Sequence, residues 1–547
     1  MAAYWHGGGC GYDSTVKSKT VRPAQRPSPR LRRLLASACL SAFVALAVAP
    51  AGVAQVKPND TSLPMLGDSA RGDLSPVIER KLGEEIMRDI RRDRDFLDDD
   101  AILEYLNNFG SGLVASFPGA RGETGADYYF FAVRDPMINA FALPGGFIAV
   151  HSQLLIAAQN ESELASVLSH EIGHVAQRHI ARMIGQQKQD ALMPLAAIIL
   201  AALASKAGPD AAIGVFMGGQ GLAIQRQLNF SRDAEREADR VGFQIMGAAG
   251  FDTSGMVAFF QRLQAATKSY SDLTPPWLMS HPLTSERISD IRARIRETPH
   301  RERIDGLEFH LVRARARVLQ DESAQGKIDA RAAFETQLTQ QSRQQQAAAQ
   351  YGLAVLALRS GDLAKAADWL AKSRATMKPT TGAVFSTGQS ASDGAAIFAS
   401  LSLDIKLAPG QPASMAAQTV REAEQAYQQF PLSRGIARQY ARSMIAAGKL
   451  EQAALFLREQ VRSYREEPKL YELLAETYAA QGKLTLQHIA LAESYVLSGA
   501  VPAAVDQLGI ARKAPDASFY DLALIDARER ELAIRQREEK QDGDKKK

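Results

Sequence analysis

The stretch Ser169–His179, SHEIGHVAQRH, decides how this chain is read. It holds three of the nine histidines among 547 residues, with a glutamate directly after the first. On a helix, residues four apart share a face, so His170 and His174 can reach one metal ion together. Glu171 lies about a hundred degrees further round. That places it beside such an ion, where it could take a proton from an attacking water and pass it to a departing amine. Zinc suits the site because it accepts imidazole nitrogen and carboxylate oxygen. The motif alone is only suggestive. The same residues could form the polar stripe of an ordinary helix whose core face is Leu164, Leu168, Ile172 and Val175.

A third ligand has to come from elsewhere. His179 is nine residues from His170 and half a revolution away on a continuous helix, which excludes it as a ligand from this helix. The chain has two cysteines, Cys10 and Cys39, both near the start. A carboxylate is therefore expected. The run SRDAEREADRVG (Ser231–Gly242) offers Glu235 and Asp239, four apart on one helical face, while Glu237 points away from both. One of the pair could bind metal and the other could orient a ligating imidazole through its free N–H. A charged solvent face is the ordinary meaning of such a run, and the residues alone leave these readings open.

The N-terminus reads as a secretory signal peptide over 1–54. Arg26, Arg30, Arg32 and Arg33 precede an apolar run from Leu34 to Val48, which ends in small residues. The run is shorter than the ~20 apolar residues needed to cross a bilayer. With that segment removed, the mature chain would hold no cysteine and need no disulfide to fold. Hydrophobic residues make up 46% and charged residues 23%, an ordinary globular balance. The net charge of +4 and the lack of a basic-aromatic pattern argue against nucleic acid as a partner.

Outward from the opening stretch, residues 55–72 read as a linker, and Ser75-Pro76 as a helix start. The aromatic run DYYFFAV (Asp127–Val133) reads as a strand. INAFAL and FIAV flank Pro144-Gly145-Gly146 and read as a hairpin. Asn160 and Glu163 make a cap signal for the helix that carries the motif. The apolar segment Ala191–Ile224 is expected to be a buried helical hairpin or a mobile cover rather than a membrane span. Beyond residue 298 the sequence becomes Ala-rich helical pairs. Gly448-Lys449-Leu450 and Gly482-Lys483-Leu484 recur 482 − 448 = 34 residues apart, a period that resembles the tetratricopeptide repeat. The expected organisation is thus a catalytic domain over 73–298 and helical repeats over 299–534. An insertion is expected at about 379–415, and a charged tail over 535–547.

HEIGH, then Glu235-Arg236-Glu237-Ala238-Asp239, then SHPLTSER (Ser280–Arg287) resemble the gluzincin peptidases of the CAAX prenyl protease family. The likeness runs from about Ser75 to Arg294. With the signal segment and the repeats, it is strongest to the periplasmic, β-barrel assembly-enhancing branch of that family. The resemblance implies an α+β, mostly helical fold, with a small sheet, an HExxH helix and a C-terminal helical-repeat domain. It implies one zinc ion per chain held by His170, His174 and Glu235, with Glu171 as general base and Asp239 behind a ligand. It puts His281 near the zinc, either binding the metal to hold the enzyme off or stabilising the oxyanion, and places Arg287 among the same catalytic groups. It assigns the substrate-binding edge strand to Asn139, Ala140 and Phe141, where a peptide backbone can be added. The implied partners are unfolded or misassembled outer-membrane β-barrel proteins and the β-barrel assembly machinery, with peripheral membrane contact and a periplasmic location. Membrane-embedded relatives have several spanning helices, and no segment here is long enough. Two rival readings are a zinc-binding chaperone or scaffold acting through its repeats, and an intramembrane protease.

Overall fold

The computed structural model describes residues 74–186, 232–269, 277–278, 281–298, 300–339, 342–378 and 394–544. The expected signal segment, the linker and the apolar segment Ala191–Ile224 lie outside them.

The chain enters through α1 (Pro76–Ile90), where Ser75 Oγ accepts from the Ile78 N–H and Pro76 fills the first turn, as the Ser-Pro signal predicts. Helix α2 (Asp100–Ser116) follows, capped by Asp99. Three short strands come next: β1 (Tyr129–Val133), β2 (Ala140–Leu143) and β3 (Phe147–His151). They form one sheet in the order β1-β3-β2, with β3 parallel to β1 and antiparallel to β2. The β2–β3 pair is the hairpin read from the sequence, and Gly145 takes the positive φ of 77° that its turn requires. Side chains of β1 alternate between two cores, as the strand period demands. Phe130 and Ala132 face α2, while Phe131 and Val133 face Ile86, Met87 and Ile90 of α1.

Helix α3 (Ser152–Ala157) leads into α4 (Glu161–Ala176), which carries the histidine motif. Asn160 Oδ1 accepts from the Glu163 N–H at 2.9 Å, and Glu163 Oε2 accepts from the Gln159 N–H at 2.7 Å. All sixteen residues of α4 are buried. The next helices are α5 (His179–Gln186), α6 (Arg232–Ala248), α7 (Ser254–Ser269) and α8 (Ser285–Glu297). Helix α4 lies against α6, α7, α2 and the sheet, so the motif sits at the centre of this half of the molecule.

From Leu307 onward the fold is entirely helical among the described residues. Helices α9 (Leu307–Gln320), α10 (Ala324–Leu338), α11 (Arg343–Arg359), α12 (Leu363–Met377) and α13 (Ala395–Leu407) come first. Seven more follow: α14 (Ala416–Gln429), α15 (Arg434–Ala446), α16 (Leu450–Ser463), α17 (Pro468–Ala480), α18 (Leu484–Leu497), α19 (Val501–Arg512) and α20 (Phe519–Asp544). Successive helices pair closely because small side chains, Ala347, Ala348 and Ala366 among them, are fully enclosed at the contacts. Gly361, Gly448, Gly482 and Gly499 each end a helix with φ between 70° and 78°, the left-handed cap that glycine adopts at little cost. No helix among the described residues is long and apolar enough to cross a membrane.

The helical region is joined to the half that carries the histidine motif by charged contacts as well as by apolar packing. Glu104 of α2 accepts from Gly435 N–H at 2.7 Å and from Ser433 Oγ at 2.9 Å, at the start of α15. Buried Arg438 of α15 pairs with Asp100 and with Glu467. Replacing Arg438 by Met would remove the nearest partner of both carboxylates, leaving Asp100 with Lys469 and Glu467 with Arg434, each at 3.7 Å. We expect a loss of about 1–3 kcal/mol, read as a lower urea midpoint. An unchanged midpoint would show that these carboxylates are better hydrated than their burial implies.

Candidate metal centre

Four side chains from three places converge inside the half that carries the histidine motif. His170 and His174 come from successive turns of α4, Glu235 from the first turn of α6, and His281 from the segment before α8. One potential ligand atom from each lies within 4.8 Å of all the others, and all four residues are buried. The Nε2 atoms of His170 and His174 are 3.0 Å apart, and His281 Nδ1 is 3.3 Å from His170 Nε2. Glu235 Oε1 lies 2.8 Å from His281 Nδ1 and 3.4 Å from His174 Nε2. Imidazole lone pairs and a carboxylate pointed at one another form a donor set that suits a cation, and both oxygen and nitrogen donors are of the kind zinc accepts. The solvent-exposed alternatives for both motifs fail on burial. His170 and His174 are wholly enclosed, and Glu235 and Asp239 are 1% and 2% exposed.

The approach of α4 to α6 depends on two glycines. A Cβ on Gly173 would lie 2.9 Å from Ala238 O, and one on Gly242 would lie 3.0 Å from His170 N. The two backbones therefore touch where the histidines and carboxylates face each other.

A layer of polar groups stands behind the four. Asp239 Oδ1 is 3.0 Å from His170 Nδ1, and the Arg287 guanidinium clamps Asp239 with two bonds of 2.6 and 2.8 Å. Arg287 Nη1 is also 2.7 Å from Glu235 Oε2 and donates to Pro282 O at 3.0 Å. The sequence reading set Arg287 among the catalytic groups. The structure puts its guanidinium behind both carboxylates, as a group that holds them in place. Burial works against charge in Asp239, but Arg287 and His170 outweigh it and hold the carboxyl below its usual range. Burial likewise opposes charge on Glu235, yet the surrounding imidazoles keep it well below the usual value. His170 is carried up to about 9: burial would lower it, but Asp239 and Glu235 overcome that. His174 goes the other way, lowered chiefly by burial.

Glu171 sits next to the cluster and outside it. Burial raises its carboxyl above the ordinary value. Its Oε2 accepts from the Ala142 N–H at 3.1 Å and its Oε1 from the Trp277 indole N–H at 3.3 Å. Trp277 was not anticipated from the sequence. It lies against His281 and His170, with ring centroids 5.0 and 5.7 Å away, and its carbonyl accepts from the His281 N–H. The only available signal was its place four residues before that histidine.

Strand β2 is an edge of the sheet, and its inner side is used. Asn139 O accepts from His151 N–H at 3.0 Å, so alternation turns the backbones of Asn139 and Phe141 toward β3. Ala140 and Ala142 therefore turn toward the free edge, where Ala142 already meets Glu171. Of Asn139, Ala140 and Phe141, only Ala140 offers its backbone there, and Ala142, the last residue of the INAFA stretch, does the same.

His179 lies outside the group of four but is not remote from it. The sequence argument assumed a continuous helix. In fact α4 stops at Ala176, Arg178 takes a left-handed conformation with φ 52°, and α5 begins at His179. The turn brings His179 Nδ1 to 2.8 Å from His174 Nδ1. Glu237, which points away from Glu235 and Asp239, lies 3.1 Å from His179 Nε2.

With the geometry in hand, comparison with known proteins is specific. Residues 113–295 match peptidase family M48. A relative from Vibrio cholerae is 39% identical over 274 residues, which are 50% of this chain and 56% of its own length. The β-barrel assembly-enhancing protease of Escherichia coli K12 is 28% identical over 490 residues, 89% of this chain and 95% of that one. The mitochondrial metalloendopeptidase OMA1 of Schizosaccharomyces pombe is 26% identical over 230 residues, 40% of this chain and 64% of that protein. This chain carries a metalloprotease domain of peptidase family M48.

The close helix contact makes a direct prediction. Gly173→Ala must push α6 from α4 by several tenths of an ångström, and we expect metal affinity to fall at least about tenfold, a typical loss when a metal site's supporting geometry is disturbed. Gly112→Ala, where an added Cβ meets nothing within 4 Å, should leave affinity alone. Equal affinity in both variants would show that the contact does not set the site.

Proposed function

We propose that this M48 protease is a periplasmic zinc endopeptidase that acts on outer-membrane β-barrel proteins and degrades those that misassemble. The observation that carries the catalytic part is the position of Glu171, buried beside four converging metal-seeking side chains without being one of them. His170, His174 and Glu235 would hold the zinc, which when bound lowers the pKa of water to about 7 and polarises the scissile carbonyl. Glu171 takes the proton from the attacking water and delivers it to the leaving amine, a role aided by the basicity that burial confers. Asp239 fixes the ring of His170, and Arg287 fixes Asp239. The free edge of β2 at Ala140 and Ala142 lays the client backbone across the site without demanding particular side chains.

The substrate class rests on the Escherichia coli relative, whose match continues through the helical region as well as the protease domain. In this reading residues 73–298 are the catalytic unit. Residues 299–534 are tetratricopeptide-like repeats that bind clients or the assembly machinery on a concave face. The signal segment over 1–54 takes the mature chain to the periplasm, where contact with the membrane is peripheral. A scaffold without catalysis is the poorer reading, because a purely structural metal site has no use for Glu171.

His281 makes the geometry that of a resting enzyme. With its imidazole among the ligands, four side chains surround the metal position and none is left for substrate, whereas catalytic zinc keeps one position open. His281 precedes Pro282 outside regular helix, so a local backbone movement would withdraw it.

Two expectations follow. Glu171→Gln should retain zinc and cleave casein slower by a factor on the order of 10²–10⁴; cleavage at the parent rate would remove Glu171 from the mechanism. His281→Ala should retain zinc and cleave casein faster than the parent. Normal zinc with much lower activity would instead make His281 a stabiliser of the transition state.

A further inference from the structure

The break between α4 and α5 is built and held in place. Arg178 is not glycine, and a left-handed conformation costs such a residue about 1–2 kcal/mol. Its side chain is 3% exposed and anchored: Nη2 donates to Leu74 O at 2.6 Å, and Nε donates to Glu79 Oε2 at 3.3 Å. Backbone strain of this kind marks positions where the turn itself is used. What the turn delivers is His179, whose side chain is wholly enclosed.

Both ring nitrogens of His179 are committed. Nδ1 lies 2.8 Å from His174 Nδ1, with the two rings edge to face and their centroids 4.8 Å apart. Nε2 lies 3.1 Å from Glu237 Oε2, and Arg182 Nη2 donates to that same oxygen at 3.1 Å. Glu237 is therefore tied down by two residues, three apart, on one face of α5.

Proton positions along this line are not free. His174 Nε2 faces the other three converging groups, so its lone pair is needed there and its proton belongs on Nδ1. That N–H points at His179 Nδ1, which must accept and so carries no proton. The His179 proton then sits on Nε2 and is donated to the Glu237 carboxylate, whose charge Arg182 balances. Each step fixes the next. We infer that His179 and Glu237 form a positioning relay that sets the tautomer and ring orientation of His174, so that its Nε2 is presented to the metal. The relay rests on the proposed ligand role of His174. It parallels the support that Asp239 gives His170 from the other side, but uses an imidazole to span a gap that a carboxylate on α6 does not bridge directly.

The test is zinc affinity of the mature full-length chain, measured by competition with a chromophoric chelator, alongside thermal unfolding of the metal-free protein. His179→Phe keeps the volume and removes the acceptor, and should weaken zinc binding about 10–100-fold, the usual effect of losing a ligand's hydrogen-bond partner. His179→Gln can accept and donate at once and should restore most of that loss. Glu237→Leu should weaken binding in the same direction. The double variant should bind no more weakly than His179→Phe, because Glu237 acts only through His179. Parent-like affinity in His179→Phe, or losses that add in the double variant, would overturn the relay while leaving the zinc site intact. If His179→Phe does not fold, unaltered affinity in Glu237→Leu overturns it equally. A parent chain that binds no zinc would sink the relay and the ligand assignment together.

Discussion

Setting Glu235, Asp239 and Arg287 against three imidazoles in a space closed to water removes the hydration of two carboxylates and a guanidinium. Each must find its replacement inside the protein. The bidentate Arg287–Asp239 pair, the contacts of Glu235 with Arg287 and three imidazoles, and the Asp239–His170 contact supply it. An uncompensated charge here would cost several kcal/mol, so the geometry of these groups is fixed together or not at all. The rest of the protease half follows from that demand. Helix α4 is buried on every side, its glycine meets the backbone of α6, and the sheet brings an edge strand to Glu171.

The same logic extends outward by one layer. His170 is steadied by a carboxylate on α6 directly, while His174 faces an imidazole delivered by a strained turn. Arg178 holds that turn by reaching back to α1, so the first described helix of the chain takes part in the site without touching it. On the far side of α2, a second set of charges, half-buried Glu104 and Asp100 with buried Arg438, ties the protease half to the helical region.

Much of this was legible in the sequence because it rests on local spacing. Residues four apart on a helix share a face whatever the surrounding fold, which brought out His170 with His174 and Glu235 with Asp239. The hairpin was legible because Pro144 fixes its own φ and Gly145-Gly146 accept the positive φ that a tight turn needs, and the helix caps because Ser75 and Asn160 have the right oxygen at the right offset. What stayed hidden depended on departures from regularity or on tertiary approach. A continuous-helix assumption placed His179 far from the metal position, and nothing in Gln177-Arg178 announces a left-handed residue. Glu237 was read only as turning away from Glu235 and Asp239, and its partner His179 becomes apparent once α5 is placed. Trp277 and Ala142 meet Glu171 only after residues more than a hundred positions and 29 positions away, respectively, have been brought together. The strand parity that favours Ala140 and Ala142 over Asn139 and Phe141 needs the register with β3, which no propensity supplies.

The central claim is that His170, His174, Glu235 and His281 surround one zinc ion in the resting protein. X-ray absorption at the zinc edge of the purified mature chain tests it most directly, since imidazole rings leave their own scattering signature. The account predicts one zinc with nitrogen and oxygen neighbours near 2.0–2.1 Å and three imidazoles, falling to two when His281 is replaced by Ala. Absence of bound zinc, or a spectrum with fewer than three imidazoles in the parent protein, would contradict it.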